Sequence, residues 1–162
     1  MSGKHPVGAP FTLSDPDGRR VSLADFEGKL VLLYFGFANC PDVCPTDLAL
    51  MAQALRSLGA RESEVQPLFV TLDPLRDSPA VLREYAAAFH PRLLALTGPE
   101  AEVKRVATSF KVFYEKVPMP GGGYSIDHTA YTFLLDRTGK FVILFPPGTP
   151  AERMAEMLRE QL

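Results

Sequence analysis

The stretch that decides the fold is residues 30–46, which read LVLLYFGFANCPDVCPT. Residues 30–37 form an apolar run of strand length that is rich in β-formers, as is typical of a strand buried on both faces of a mixed or parallel sheet. Cys40 and Cys44 follow it. Over residues 45–58 apolar side chains recur at spacings of three and four, which is the helical period. The cysteines are therefore predicted to lie in a strand-to-helix loop.

Strands alternate with helices along the rest of the chain. The sequence predicts a hairpin over residues 11–23, strands over 66–72, 93–96, 112–117, 131–136 and 141–145, and helices over 78–89, 99–109 and 150–162. This alternation predicts an α/β, thioredoxin-like three-layer sandwich. Its central mixed sheet is expected to carry helices on both faces, beside an N-terminal β-hairpin. A cysteine pair between the first buried strand and a helix is typical of that fold.

Composition limits the function classes that are open to the chain. A length of 162 residues with 46% hydrophobic content predicts one domain with a sizeable core. We assign residues 11–162 to this domain and residues 1–10 to a flexible N-terminal segment, before which an anchor or export signal is expected to have been removed. A net charge of -2 gives no basic field for nucleic acid or an anionic membrane. The sequence contains no apolar run long enough to span a bilayer.

Cys40 and Cys44 are the two cysteines of the chain, spaced C-x-x-x-C. If Cys44 lies in the first helical turn, unpaired N–H groups and the helix dipole favour its thiolate. Two soft thiolates suit Cu(I), and they are too few to close a structural zinc site alone. From spacing alone three interpretations remain open: a metal site, a redox pair, or a plain disulfide or inert thiols.

Three histidines are available as a further ligand. His5 lies in the N-terminal segment, and His90 follows the predicted end of a helix, where a solvated side chain is expected. His128 lies between a Gly121-Gly122-Gly123 loop and the next strand, and we expect this loop to be long enough to swing a side chain over the cysteines. A satisfied or exposed imidazole without a ligand role stays open for His128 as well.

Three segments carry a specific resemblance to a known family. They are residues 32–46, with their C-P-D-V-C-P motif, residues 70–79, which read VTLDPLRDSP, and residues 127–129, which read DHT and precede FLLD at 133–136. Together they closely resemble the Sco/SenC family. The likeness extends from residue 11 to the last predicted helix. The combination of C-P-D-V-C-P with a distant D-H-T is far more specific than either motif alone.

The resemblance implies a copper metallochaperone that assists assembly of the CuA centre of cytochrome c oxidase. By this likeness Cys40, Cys44 and His128 match the copper ligands, for Cu(I) and in some states Cu(II). Implied partners are cytochrome c oxidase subunit II and a donor copper chaperone. The domain is expected to be monomeric and extracytoplasmic, in the bacterial periplasm or on the outer face of the cytoplasmic membrane, tethered by a transmembrane helix. Asp42, Asp73 and Asp127 match recurring positions, without an assigned role.

The main alternative is a thiol-disulfide oxidoreductase that reduces the oxidase subunit or other extracytoplasmic proteins, with Cys40 and Cys44 as its redox pair. Dithiol oxidoreductases of this fold usually have C-x-x-C and a proline shortly before the strand predicted at 131–136. Here three residues separate the cysteines, and residues 127–131 contain a histidine but no proline. Metal binding is therefore favoured over exchange, and the protein is expected to be mainly a chaperone rather than an enzyme. A disulfide that merely staples the fold is weaker still, because its loop is short.

Overall fold

The core of the molecule is a mixed sheet that forms around the apolar run at residues 30–37. A computed structural model describes residues 7–38, 43–128 and 131–162, without the side chains of residues 43, 44, 127 and 128. The strands are β1 (Thr12–Ser14), β2 (Arg20–Ser22), β3 (Leu30–Gly36), β4 (Val65–Thr71), β5 (Leu94–Leu96), β6 (Tyr114–Pro118), β7 (Tyr124–His128), β8 (Thr132–Leu135) and β9 (Phe141–Phe145).

The helices are α1 (Val43–Arg56), α2 (Pro79–Phe89), α3 (Glu100–Ser109) and α4 (Ala151–Gln161), and short 3-10 turns occur at Leu23–Phe26 and Gly59–Glu64. α2 begins as its sequence indicates, since the Ser78 side chain accepts the N–H of Val81 and Pro79 occupies the first helical position. Within the described residues, none of the helices combines the length and apolar character that crossing a bilayer requires.

The five strands of the central sheet lie in the order β5-β4-β3-β8-β9. β3 is parallel to β4 and antiparallel to β8, and β4 is parallel to β5. All seven residues of β3 are buried. The predicted mixed sheet and its doubly buried strand are confirmed.

Hydrophobic cores cover both faces of this sheet, because alternate side chains of a strand point to opposite sides. Leu32 and Tyr34 of β3 pack in the core that α1, α2 and α4 cover. Leu33 and Phe35 pack in the second core, with α3 and the region of the β1–β2 hairpin. The three-layer arrangement predicted from the sequence is confirmed.

The N-terminal hairpin also forms where the sequence predicts it. β1 and β2 pair antiparallel. Asp15 Oδ1 accepts the backbone N–H groups of Asp17 and Arg19, each at 2.9 Å, and Gly18 takes a φ of +83° at the tip. An aspartate that caps its own turn and a glycine with positive φ explain why this segment reverses direction here.

The structure corrects the prediction for residues 124–128. We expected a glycine-rich loop to continue to His128, but the loop is a short turn at residues 119–123, in which Gly121, Gly122 and Gly123 have positive φ. Tyr124–His128 is a strand that pairs with β6 residue by residue. Side chains therefore alternate across β7, and Ile126 is buried. The backbone that carries His128 belongs to a β-ladder rather than to a swinging loop.

The prediction of a solvated His90 is wrong. Its side chain is almost fully buried, and its Nε2 bonds the carboxylate of Glu62. Its Nδ1 lies 3.0 Å from the backbone N of Arg92 and accepts that N–H, so the ring proton lies on Nε2 and is donated to Glu62. Glu62 belongs to the 3-10 turn at Gly59–Glu64, so this turn supplies the partner.

Candidate metal centre

The end of β3 and the start of α1 carry the two cysteines. β3 and β4 are parallel, so both strands end at the same edge of the sheet. Cys44 is the second residue of α1, which confirms that it lies in the first helical turn. N–H groups in this turn have no partner within the helix, and together with the helix dipole they stabilise a thiolate. Cys40 lies outside the described residues.

β7 carries His128 as its last residue, paired with Tyr114 of β6. Four residues later Thr132 begins β8 and pairs with Tyr34 of β3. Because β8 is antiparallel to β3, the chain before Thr132 and the chain after Tyr34 extend toward the same edge of the sheet. The backbone segments that carry His128 and the cysteines therefore approach one edge.

Asp47 fixes the first turns of α1 to the rest of the domain. Its side chain is buried, one helical turn after Cys44. Its Oδ2 accepts the hydroxyl of Tyr34 at 3.1 Å, and its Oδ1 accepts the N–H of Gly148 at 2.8 Å. Tyr34 itself is fully buried in β3 and stacks on Phe69. The helix start is thereby joined both to the central strand and to the segment before α4.

Asp77 holds the stem of the cysteine loop from the other side. Its Oδ2 accepts the N–H of Ala38 at 2.9 Å and the hydroxyl of Thr71 at 2.7 Å. The residue is 2% exposed, and its Oδ1 has no hydrogen-bond partner among the described residues. Burial raises the pKa of Asp77 above its ordinary value, against the opposing effect of the two donors.

Asp73 and Arg76 connect the loop at residues 73–77 to β7. Arg76 Nε bonds Oδ2 of Asp73, and Arg76 Nη1 donates to the carbonyl of Tyr124 at 2.5 Å. The Tyr124 hydroxyl donates to Oδ1 of Asp73 at 2.9 Å. The guanidinium carbon of Arg76 lies 3.8 Å from the centroid of the Tyr124 ring. Desolvation, and after it the hydrogen bond to Asp73, raise the pKa of Tyr124 and keep it a proton donor.

Comparison with known proteins assigns the chain to a family. Residues 1–162 match the sequence model of the family described as SCO1/SenC. This chain belongs to the SCO1/SenC family. The family assignment agrees with the resemblance found in its cysteine and histidine motifs.

Curated relatives of this SCO1/SenC protein share about two fifths of its residues. The SCO2-like protein RP587 of Rickettsia prowazekii (strain Madrid E) is 38% identical over 160 residues, which are 98% of this chain and 78% of the relative. The mitochondrial protein SCO1 of Saccharomyces cerevisiae is 43% identical over 143 residues, covering 86% of this chain and 48% of the relative.

Solved structures share the fold of this SCO1/SenC protein. Bradyrhizobium japonicum ScoI with copper bound superposes with a TM-score of 0.88 at 40% identity, over 96% of this chain and 99% of that one. BsSco, described as a member of the Sco family of cytochrome c oxidase assembly proteins with a disulfide switch, gives a TM-score of 0.73 at 27% identity, over 99% and 98% of the chains. The thioredoxin-like fold predicted from the sequence is thereby confirmed.

The predicted ligands fall on the part of this SCO1/SenC protein that the structure does not describe in full. Among the described side chains, no three His, Cys, Asp or Glu residues form a cluster that would hold a metal. Outside this set lie residues 40 and 42 and the side chains of Cys44, Asp127 and His128. The ligand set therefore stays a prediction, while Asp73 now has a defined structural partner in Arg76.

Sequence reasoning did not assign a role to four of the residues that support the site: Asp47, Arg76, Asp77 and Tyr124. A signal for two of them was present, since residues 73–77 read DPLRD and place an arginine between two aspartates directly after a buried strand. Charged side chains are seldom buried unless they are paired. No local pattern marks Asp47 or Tyr124, whose partners lie far away in the sequence.

Proposed function

We propose that this chain binds one copper ion through Cys40, Cys44 and His128 and delivers it for assembly of the CuA centre of cytochrome c oxidase. The observation that carries the proposal is the whole-length match, in sequence and fold, to Sco proteins solved with copper bound. It is supported by the place of Cys44 at a helix N-terminus and of His128 at the end of β7.

The chemistry of the three groups suits copper as a cargo. Two thiolates and one imidazole are soft and intermediate ligands, which favour Cu(I) over hard cations, and imidazole also accommodates Cu(II). In this proposal a donor copper chaperone loads the site, and subunit II of the oxidase receives the ion. Delivery takes place outside the cytoplasm, where a membrane-tethered monomer would face the oxidase.

Anaerobic titration of the reduced protein with Cu(I) tests this function, with copper per protein measured after desalting. One copper per chain is expected. Cys40→Ser or Cys44→Ser should abolish tight binding, and His128→Ala should weaken it strongly, because two thiolates alone leave the ion open to competing ligands. His5→Ala removes an imidazole outside the motif and should bind as the wild type does. Wild-type stoichiometry and affinity in both cysteine variants would overturn the assignment.

A redox function of the same cysteines is the second candidate, and the disulfide switch described for BsSco favours it. The two thiols would form one disulfide, releasing two protons and passing two electrons to a disulfide of the partner protein. A helix N-terminus stabilises a thiolate without help from imidazole. His128→Ala should therefore leave the equilibrium with glutathione nearly unchanged. If that variant retained copper but shifted its reduction potential, the redox role would take precedence.

A further inference from the structure

The loop at residues 73–77 contacts both backbone segments that lead to the predicted ligands. On one side Asp77 accepts the N–H of Ala38, two residues before Cys40. On the other side Asp73 and Arg76 bind Tyr124, the first residue of the strand that ends at His128. A single short loop therefore sets the relation between the two halves of the candidate site.

Tyr124 is held by contacts of several kinds. Its carbonyl accepts from Arg76, its hydroxyl donates to Asp73, and its ring lies under the Arg76 guanidinium. In addition, Lys116 Nζ lies 5.1 Å from the centroid of the same ring. Asp73 is 1% exposed and the Arg76 side chain is 27% exposed, so their ion pair is partly shielded from water.

β7 connects the attachment at Tyr124 to the backbone of His128 at its other end. Its five residues pair continuously with β6, so the two strands form one ladder. At about 3.3 Å per residue, the ladder spans roughly 13 Å between Tyr124 and His128. Four of the five β6 residues are exposed. Among the described side chains of β7, Ile126 is the one that is buried. The Arg76 attachment thus adds a polar fixed point at the start of β7 to the packing of Ile126 and of Tyr114 in β6.

We propose that Arg76 is a positioning residue of the metal site, which fixes β7 to the 73–77 loop and so holds His128 within reach of the cysteines. The inference rests on the proposed function, because Arg76 can affect copper binding in this way only if His128 is a ligand. Arg76 itself does not bind copper. Its removal should release the hairpin and lower the effective concentration of the imidazole at the thiolates.

The test is a Cu(I) competition titration against a chromophoric chelator, performed on the reduced 162-residue chain. Arg76→Met keeps an unbranched stem but removes the guanidinium with its charge and donors, and should weaken binding about 10- to 100-fold, as loss of a supporting residue typically does. Arg76→Lys keeps the positive charge but lacks the planar guanidinium, and its copper affinity should lie between those of the wild type and Arg76→Met. Arg83→Met is the matched control, since Arg83 forms an exposed ion pair with Asp17 at 2.7 Å and should leave copper binding unchanged.

A double-mutant cycle with His128→Ala separates positioning from general damage. If Arg76 acts through His128, adding Arg76→Met to His128→Ala should cause no further loss beyond about twofold, and the equilibrium with glutathione should match that of the wild type. An equal loss in both backgrounds, or wild-type affinity in Arg76→Met beside a weakened His128→Ala, would overturn the inference and leave the copper function intact. Wild-type affinity in His128→Ala itself would overturn both.

A second variant protects the test against a folding defect. Arg76→Met leaves the buried Asp73 carboxylate without its cation, which is costly. Arg76→Met combined with Asp73→Asn removes both charges and should reproduce the loss of affinity with a normal circular-dichroism spectrum. Tyr124→Phe deletes only the hydroxyl and should weaken binding in the same direction by a smaller factor. Wild-type affinity in a folded double variant would contradict the proposal.

Discussion

β3, which leads into the cysteine loop, has all seven residues buried, whereas four of the five residues of β6, the partner of the strand that carries His128, are exposed. β3 lies between two neighbours in the central sheet, and β6 and β7 form a separate two-stranded sheet. The cysteine side therefore takes its position from the core. The β6–β7 hairpin takes its position from polar contacts at Tyr124, an exposed ion pair between Lys116 and Glu100, and the packing of Tyr114 and Ile126. A two-stranded hairpin has little stability of its own, so these contacts matter more than their number indicates.

The strongest test of this contrast is Asp47→Ala on the cysteine side. The variant removes the Asp47 acceptor from the buried Tyr34 hydroxyl and from the N–H of the exposed Gly148, and should lower the free energy of unfolding by about 2–4 kcal/mol. Tyr34→Phe removes the hydroxyl donor and with it the bond to Asp47, while Asp47 still accepts the N–H of Gly148. This variant should lower the free energy of unfolding by about 1 kcal/mol. Urea denaturation measures both. Equal, small effects would show that α1 is held by other contacts.

A matched pair of valines tests the contrast by packing alone. Val70 of β4 is fully buried, and Val117 of β6 is 39% exposed. Val70→Ala should cost about 2–3 kcal/mol, because it deletes buried methyl groups and leaves a cavity. Val117→Ala should change stability by less than about 0.5 kcal/mol. Thermal and urea unfolding of the two variants give the comparison, and a cost above about 1 kcal/mol at Val117 would contradict the picture of a lightly packed hairpin.

The smallest effect at neutral pH is expected for Asp77→Asn, where the signal is a change in pH dependence. Burial raises the pKa of Asp77 above 3.8, so the folded state binds a proton more tightly than the unfolded state does. Acidification from that raised pKa down to about 3.8 therefore favours the folded protein. Asp77→Asn lacks this gain, and its stability should fall more steeply than that of the wild type over the same window.

Glu64 provides a control of opposite sign at the other end of the sheet. Hydrogen bonds from Arg61 and Arg137 lower the pKa of Glu64 to about 2. Its contribution to stability is present above pH 4.5 and is lost as the pH falls toward 2. Glu64→Gln should therefore lose less stability than the wild type in that range, and salt should reduce the difference because the group is solvated. If the two variants deviated from the wild-type pH dependence in the same direction, these environments would be contradicted.

The central sheet was predictable because its signal is local and strong. The run at 30–37 contains only apolar residues and glycine, and such a sequence is stable only when both faces of its strand are covered. The helical period after Pro45 likewise predicted the bounds of α1 within a few residues, and the serine-proline pair at residues 78–79 predicted the start of α2. These features depend on the sequence near each residue.

The errors have the opposite origin. β7 has a single buried apolar side chain, Ile126, and a glycine turn before it, so its pairing with β6 outweighs a weak local pattern. The buried His90 bonds Glu62, which lies 28 positions earlier in the chain. The links from Asp47 to Gly148 and from Asp73 to Tyr124 are likewise long-range. Such contacts form only when the sheet has assembled, and the hydrophobic periodicity of the sequence does not predict them.

The separation of the β6–β7 ladder from the central sheet has a consequence for amide hydrogen exchange. Amides of β3 are enclosed by two neighbouring strands and should exchange only when the whole domain unfolds, while those of β6 and β7 should exchange through local opening of the hairpin. An ion bound by groups from both regions would have to be released before the hairpin could open. Copper should therefore slow exchange in β6 and β7 far more than in β3, and the protection gained there would measure the binding energy that the histidine contributes.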